Sequence, residues 1–130
     1  MRGRVQEDQA IAPMIINGKK ELGILNTGAI ITATNISKAQ TLRLRDIKLT
    51  KFFLTVGGIV EVRYHVANRV KLGEHEELDK IIGCYVPTKE YQEEVKRREK
   101  IPVETLIGMD LLKKETFRIG KGKSWELRFD

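Results

Sequence analysis

Two short segments decide the fold expected of this chain. The first is Leu25-Asn26-Thr27-Gly28-Ala29, and the second, roughly 80 residues later, is Leu106-Ile107-Gly108-Met109-Asp110-Leu111-Leu112. Between them lies Leu54-Thr55-Val56-Gly57-Gly58, which is followed by a long stretch of alternating polar and apolar residues. Such alternation is typical of β-strands, and paired glycines indicate a turn. These segments predict a β-rich chain in which glycines form turns between strands.

The length and composition predict one soluble globular domain over residues 1–130. The chain has 130 residues, of which 41% are hydrophobic and 32% charged, and this length is enough to bury a core. No apolar run approaches the ~20 residues of a membrane span, and the basic start Met1–Arg4 does not lead into the apolar run of a secretory signal. The single cysteine, Cys84, excludes an intrachain disulfide. These features predict a cytoplasmic protein with a buried thiol.

The charge pattern argues against two kinds of partner. Lysine and arginine outnumber acids by 24 to 18, a net charge of +6, which raises the question of nucleic acid. The basic residues alternate with acids and form no stripe with aromatics, so a basic β-domain that binds nucleic acid is kept only as an alternative. The acidic residues around His75 lack the spacing of a closed zinc site. We therefore expect no metal.

Most of the chain reads as strand. Asn17-Gly18 is a strong signal for a tight hairpin turn. Val60, Val62, Tyr64 and Val66 fall on one face of a strand, opposite Glu61, Arg63 and His65. The predicted strands are 10–17, 21–25, 30–34, 40–49, 52–56, 59–71 and 78–86.

The rest of the chain predicts two helices and a hairpin. Residues 88–100 are rich in charged helix formers between Pro87 and Pro102, which indicates a surface helix. A short second helix is expected within 106–113. Residues 116–119 and 124–129 flank a glycine-lysine turn and predict a C-terminal hairpin.

The order of these segments resembles the retropepsin-like aspartic proteases. Members of that family have a hydrophobic strand leading into Asp-Thr-Gly-Ala, then a glycine-containing flap, then an apolar pair followed by Gly, any residue, Asp and two leucines. The match covers roughly residues 12–130. The resemblance implies a mostly β fold, a closed β-barrel with a glycine-tipped flap and one or two short helices. It also implies a homodimer that cleaves peptides without a cofactor.

The chemistry of that family needs two carboxylates. Two carboxyl groups a few ångströms apart share one proton, so that one acts as base and the other as acid. One chain carries a single such loop, and a twofold axis between two chains supplies the pair.

The resemblance assigns roles to particular residues. Position 26 would be that of the catalytic aspartate, Thr27 would bond to the partner loop, Gly28 would permit the tight turn, and Ala29 would line the peptide cleft. The flap tip would be formed by Val56, Gly57 and Gly58. Behind the loop, Gly108 and Asp110 would give structural support. Trp125, Leu127 and Phe129 share a strand face and would build the dimer interface, together with the N-terminal segment.

The chain departs from the family pattern at Asn26. An amide cannot act as the general base, although it is nearly isosteric with a carboxylate and still forms hydrogen bonds. The resemblance therefore implies an aspartic endopeptidase that is inactive in this form. Either the asparagine replaces an aspartate by design, which the intact neighbouring residues favour, or the chain is naturally a peptide-binding or scaffolding dimer. A purely structural interpretation also stands, in which Asn26-Thr27-Gly28 is an ordinary Asx turn, Gly57-Gly58 a plain hairpin turn, and residues 107–110 a strand end with a helix cap.

Overall fold

The protein was analysed as a computed structural model. The structure describes residues 2–6, 9–26, 28–55, 58–90, 92–93, 103–112, 115–120 and 124–129, with the backbone alone for 2, 4–6, 9, 115–120 and 124–129.

Ten strands, a short α-helix and a 3-10 helix have both of their ends within the described residues. The strands are β1 (Arg2–Gln6), β2 (Gln9–Ile16), β3 (Lys19–Leu25), β4 (Ala33–Asn35), β5 (Arg45–Thr55), β6 (Gly58–Leu72), β7 (His75–Tyr85), β8 (Thr105–Ile107), β9 (Glu115–Gly120) and β10 (Ser124–Phe129). The helix α1 spans Met109–Leu112, and a 3-10 helix spans Ile36–Lys38. The predicted mostly β fold is confirmed.

Six of the strands close into a barrel. Their order is β6-β7-β4-β8-β3-β2, and β2 pairs back with β6 through Ile16 and Val70. Most neighbours are antiparallel, whereas β3–β8 and β4–β7 are parallel. Most of the buried apolar residues in the described ranges form one cluster, to which barrel strands and α1 contribute. Its members include Ala12, Met14, Ile16, Leu25, Val70, Leu72, Ile82, Ile107, Leu111 and Leu112. Burying each of the larger aliphatic side chains contributes about 1.5–3 kcal/mol.

The Asn17-Gly18 hairpin is confirmed and joins β2 to β3. Both turn residues have positive φ, 50° at Asn17 and 79° at Gly18, as the favoured two-residue hairpin turn requires. The Asn17 side chain also reaches out of the turn. Its Nδ2 donates to the carbonyls of Leu42 (2.9 Å) and Arg43 (3.0 Å), and its Oδ1 accepts from the Arg69 amide (3.1 Å). This one side chain therefore ties the hairpin to two distant segments.

Strands β5 and β6 form a long hairpin that projects beyond the barrel. Their pairing runs from Arg45 opposite Val66 to Thr55 opposite Gly58. All eleven residues of β5 are exposed, and exposed apolar side chains include Phe52 (67%), Leu54 (86%) and Ile59 (67%). We call residues 45–55 and 58–66 the β5–β6 hairpin.

The predicted alternation along β6 holds only in part. His65 was placed on the polar face, but it is buried, and so are Tyr64, Val66 and Ala67 around it. The phase then changes, because Ala67 and Val70, three residues apart, both belong to the core. Opposite this point, Asp79 of β7 has a φ of 49°. A positive φ at a non-glycine residue breaks regular strand geometry, and the alternation of both strands shifts there.

Two predicted strands needed correction at their boundaries, and one predicted helix did not. The predicted strand 40–49 was wrong at its start, because residues 40–43 form a turn held by Asn17 and β5 begins at Arg45. The predicted strand 30–34 is reduced to β4, since the carbonyl of Ile30 accepts the Asp110 amide instead of a ladder bond (3.2 Å). The short helix expected within 106–113 is confirmed as Met109–Leu112; the residues before it pair as β8 with β3.

The strands at the chain ends continue the sheet from β2, since β1 pairs with β2 at Val5 opposite Ala10 and Gln6 opposite Gln9. The predicted C-terminal hairpin is confirmed as β9–β10, with Trp125 opposite Ile119 and Leu127 opposite Phe117. On its other side β10 pairs with β1, with Gly3 opposite Trp125. Of the predicted helix 88–100, residues 89–90 and 92–93 are helical, and the Gln92 amide donates to the Thr88 carbonyl (3.0 Å). The remainder of that prediction lies outside the described residues.

Candidate active site

The loop that follows β3 is shaped by Asn26. Its backbone amide donates to the Ile107 carbonyl (3.0 Å), which continues the β3–β8 pairing by one residue. Its side-chain Oδ1 accepts from the Gly28 amide (2.9 Å), and its carbonyl accepts from the Ala29 amide (3.2 Å). This is the geometry of an Asx turn, which the structural interpretation also predicted. The half-buried Asn26 is thereby held at the end of a barrel strand.

Helix α1 lies directly behind this loop and binds it through backbone amides. The Met109 amide donates to the Ala29 carbonyl (2.7 Å), and the Asp110 amide donates to the Ile30 carbonyl (3.2 Å). These are amides of the first turn of a helix, which have no partner within the helix itself. The loop carbonyls satisfy them, so the second sequence segment fixes the first.

The Asp110 carboxylate organises the contact between loop and helix. Its Oδ1 accepts from the Thr32 amide (2.9 Å), the Thr32 hydroxyl (2.8 Å) and the Leu111 amide (3.0 Å). The Thr32 hydroxyl in turn accepts from the Gly108 amide (3.1 Å). A carboxylate that accepts several hydrogen bonds makes charge-assisted, shorter and stronger contacts than a neutral group does. Asp110 is therefore bound into the loop through Thr32.

The second carboxylate oxygen of Asp110 faces a lysine from β7. Lys80 Nζ lies 2.9 Å from Asp110 Oδ2 and 3.5 Å from Glu77 Oε2. The side chains of Lys80 and Asp110 are each only 16% exposed. His75 Nε2 lies 3.7 Å from the other oxygen of Glu77. A network of charged groups thus runs from β7 to the back of the loop.

Gly108 occupies a position where the backbones approach closely. A Cβ at Gly108 would lie 2.6 Å from both the carbonyl carbon and the carbonyl oxygen of Ile31, and 2.9 Å from the Thr32 nitrogen. Real Cβ atoms do not come this close to backbone, so the position requires glycine. Gly23 is similar, since its Cβ would meet Ile107 side-chain atoms at 2.7 and 2.8 Å.

The structure thus brings together Asn26, Gly28, Ala29, Gly108 and Asp110. Gly28 is exposed and Ala29 half-buried. Gly58 belongs to a different element, the β5–β6 hairpin, where it opens β6 with a φ of 112°. Thr27, Val56 and Gly57 lie outside the described residues. Trp125, Leu127 and Phe129 have only their backbone described, within β10.

Two residues of this site were missed by the sequence analysis. Thr32 stands in a β-branched run that looked like plain strand, and Lys80 directly precedes the apolar pair Ile81-Ile82. A charged residue beside a buried run is a weak signal for a paired charge. It could not have named Asp110 as the partner, because the two residues are 30 positions apart in the chain.

Among the residues that the structure describes, the pKa values of two groups depart from their usual ranges, and both groups lie outside the loop. Burial raises the pKa of the Cys84 thiol from 9.0 to about 12, and the charge of Asp46 adds to this. Cys84 is fully buried, as predicted. The pKa of Asp46 is lowered, first of all by the hydrogen bond from the Lys48 amide (2.8 Å).

Neither a metal cluster nor a membrane helix is found among the residues that the structure describes. Within the described ranges, no three His, Cys, Asp or Glu side chains group as ligands for a metal ion. No helix in the same ranges is long and apolar enough to cross a membrane.

Comparisons with known proteins identify the fold. No protein-family model and no curated protein sequence matches the chain. Among solved structures, the chain is similar to a retropepsin-like aspartic protease from Rickettsia conorii, with a TM-score of 0.70 and 21% identity over 98% of this chain and 97% of that one. It is also similar to the EIAV protease in complex with the inhibitor HBY-793, with a TM-score of 0.57 and 21% identity over 82% of this chain and 88% of that one. The chain therefore has the retropepsin-like fold.

Proposed function

We propose that this chain is one subunit of a homodimeric aspartic endopeptidase, and that Asn26 in place of the catalytic aspartate makes the present form inactive. One observation carries the proposal. On a retropepsin-like fold, position 26 directly follows a barrel strand, and its loop is bound from behind by the first turn of α1. A rigid support of this kind suits a group that must be held in place for catalysis.

An aspartate at position 26 would have the required surroundings. One carboxylate oxygen would keep the hydrogen bond from the Gly28 amide, which Asn26 Oδ1 now accepts at 2.9 Å. The second oxygen would take the place of Nδ2 and face the aspartate of the other subunit. The pair would share one proton and activate a water molecule. Thr27 would hold the two loops together across the axis.

The substrate proposed is an extended peptide with apolar side chains. Ile30, which follows the loop, is 82% exposed, and Leu54 in the β5–β6 hairpin is 86% exposed. Strand β5 is also the edge of its sheet, so it has a free side for strand-like pairing with a peptide backbone. Val56, Gly57 and Gly58 would form the tip that closes over the peptide. Ala29 would line the cleft beneath.

The dimer is proposed to form through the chain ends. Strand β10 pairs with β9 on one side and with β1 on the other, and β1 joins them to β2. Trp125, Leu127 and Phe129 alternate along β10. A dimer that buries this face would supply the second loop. Gly108 and Asp110 would act within each subunit as support for the loop.

The test is peptide cleavage by the protein as it stands and by Asn26→Asp, from acidic to neutral pH, with a peptide library and an aspartic-protease inhibitor. General acid–base catalysis contributes roughly 10²–10⁴-fold in rate. We therefore expect Asn26→Asp to cleave at least 100-fold faster, and the inhibitor to stop it.

Asn26→Ala is the matched control, because it also changes the residue but supplies no carboxylate. Light scattering on all three forms should report a dimer. Cleavage by Asn26→Ala, or no cleavage by a dimeric Asn26→Asp protein on any peptide, would refute the proposed activity.

A second candidate is a peptide-binding dimer that does not cleave. Asn26 itself favours it, because an amide keeps the hydrogen bond to Gly28 without offering a base. Peptide binding by the unmodified protein, measured by fluorescence anisotropy, together with inactivity of Asn26→Asp, would favour this function.

A further inference from the structure

We infer that Lys80 is a positioning residue for the loop that carries position 26. Its ammonium group provides the charge opposite the Asp110 carboxylate, and that carboxylate binds the loop. The structural part of this inference stands on the contacts alone. Its consequence for catalysis rests on the proposed function.

The Lys80–Asp110 pair differs from the surface ion pairs of the same molecule. Its two side chains are each 16% exposed and approach to 2.9 Å. In the pair of Lys48 with Asp46, by contrast, the side chains are 86% and 42% exposed at 3.7 Å. Exposed pairs contribute little, whereas removing one partner of a buried pair leaves an uncompensated charge. If the charge of Lys80 were removed, the buried Asp110 carboxylate could not replace that contact by binding water.

The backbone of β7 is distorted at the residue next to Lys80. In a regular strand, residues 77 and 80 point to opposite faces, because successive side chains alternate. The positive φ of Asp79, 49°, breaks this alternation, and Glu77 and Lys80 come within 3.5 Å of each other. Such a conformation is uncommon and strained at a non-glycine residue. The strand adopts it where it directs a lysine toward Asp110.

A continuous set of hydrogen bonds leads from Asp110 to position 26. The carboxylate binds the backbone and the hydroxyl of Thr32. The amides of Met109 and Asp110 bind the carbonyls of Ala29 and Ile30. The Ala29 amide then binds the Asn26 carbonyl at 3.2 Å. Moving the carboxylate would therefore move the loop on which position 26 sits.

The first test reads the loop directly and needs no catalysis. Lys80→Met keeps the aliphatic stem and removes the charge, and the amide resonance of Gly28, which donates to Asn26 Oδ1, reports the loop by NMR. We expect this resonance to shift in Lys80→Met and to stay near its original position in Lys80→Arg, which restores the charge. The matched control is Lys38→Met, because Lys38 forms a 2.7 Å ion pair with Glu21 away from the loop. Equal Gly28 shifts in Lys80→Met and Lys38→Met would overturn the inference.

A double-variant cycle keeps the test decisive if Lys80→Met alone does not fold. Asp110→Asn removes the carboxylate charge, so the ammonium group of Lys80 then has no negative charge at residue 110 to neutralise. We expect Lys80→Met to change the Gly28 resonance far less in the Asp110→Asn background than in the original one, or to fold there when it does not fold alone. An undiminished effect in that background would show that Lys80 does not act through Asp110, and the inference would fail.

The catalytic consequence is measured in the Asn26→Asp background. Small misplacements of a reacting group cost up to about 100-fold in rate. We expect Lys80→Met to lower kcat by roughly 10–100-fold with little change in KM, and Lys80→Arg to recover most of the loss. If Asn26→Asp is itself inactive, the proposed function fails, while the Gly28 resonance still decides the role of Lys80. A Lys80→Met enzyme with unchanged kcat would overturn the role in positioning.

Discussion

The loop that carries position 26 and the β5–β6 hairpin differ in how firmly the rest of the chain holds them. The loop is bound by α1, by Thr32 and by the Asp110 carboxylate, and Thr32 is fully buried. The hairpin carries large apolar side chains in the open, among them Phe52 and Leu54. The loop is fixed by contacts within its own chain, whereas the hairpin leaves apolar side chains exposed to solvent. Contiguous exposed apolar surface is typical of a binding surface.

This contrast fits the different roles of the loop and the hairpin in the proposed enzyme. A group that reacts must be held within a fraction of an ångström, whereas a cover must open to admit its peptide. Substitutions should therefore affect stability strongly at the loop and weakly at the hairpin. The three predictions that follow compare matched residues in the two regions or in the barrel.

The largest difference is expected between Gly108→Ala and Gly58→Ala. A Cβ at Gly108 would lie 2.6 Å from the Ile31 backbone, whereas at Gly58 it would meet nothing within 4 Å. Overpacking costs about 1–3 kcal/mol, and we expect the upper end of that range at Gly108 because the added Cβ would meet backbone atoms. Gly58→Ala should cost about 1 kcal/mol, because its φ of 112° disfavours a side chain. Urea unfolding of both variants measures the free energies, and equal losses would contradict the contrast.

A smaller difference is expected between Thr32→Val and Thr55→Val. The Thr32 hydroxyl is buried and bonds both Gly108 and Asp110, so its loss leaves a buried amide without an acceptor and should cost about 2 kcal/mol. The Thr55 hydroxyl bonds the Gly58 carbonyl at 2.7 Å but is exposed, and its loss should cost less than about 0.5 kcal/mol. Thermal unfolding compares the two. A larger loss for Thr55→Val would show that the hairpin is the more firmly bound region.

The smallest effect on stability is expected from ionisation of the Cys84 thiol at alkaline pH. The pKa of Cys84 is raised by burial to about 12 from 9.0, so above pH 9 the unfolded chain loses a proton that the folded chain keeps. Stability should therefore fall as pH rises through this window. Between pH 8 and pH 10 the fall should amount to about 1 kcal/mol more than in Cys84→Ala. Urea unfolding at both pH values measures it, and identical pH dependence in the two proteins would contradict the raised pKa.

Local signals in the sequence predicted the elements that depend on local geometry. Asn17-Gly18 identified its hairpin because these residues tolerate positive φ. The start of β5 could not be predicted, because the turn before it is held by the side chain of Asn17, more than twenty residues earlier. The phase change in β6 and β7 was missed for a similar reason, since nothing in the sequence around Asp79 requires a positive φ.

The candidate site, too, could be predicted from the sequence only where local signals identify its residues. The two segments around Asn26 and Asp110 were identified from their residues, and the structure places them in contact through backbone hydrogen bonds. Thr32 and Lys80 were missed, because each looks ordinary until a partner about 30 to 80 positions away comes beside it. The catalytic, substrate-binding and dimer-interface roles stay predictions for every residue to which they were assigned: Asn26, Thr27, Gly28, Ala29, Val56, Gly57, Gly58, Trp125, Leu127 and Phe129.

The sequence by itself determined the strand-rich class, the glycine turns and the amide at position 26, because periodicity, backbone freedom and side-chain chemistry are local properties. Only the tertiary structure decided which groups hold that amide in place. Barrel closure brings β7 beside β4 and places α1 behind the loop after β3. The resulting contacts between Lys80, Asp110 and Thr32 exist because distant segments share one buried space, and no local pattern records that.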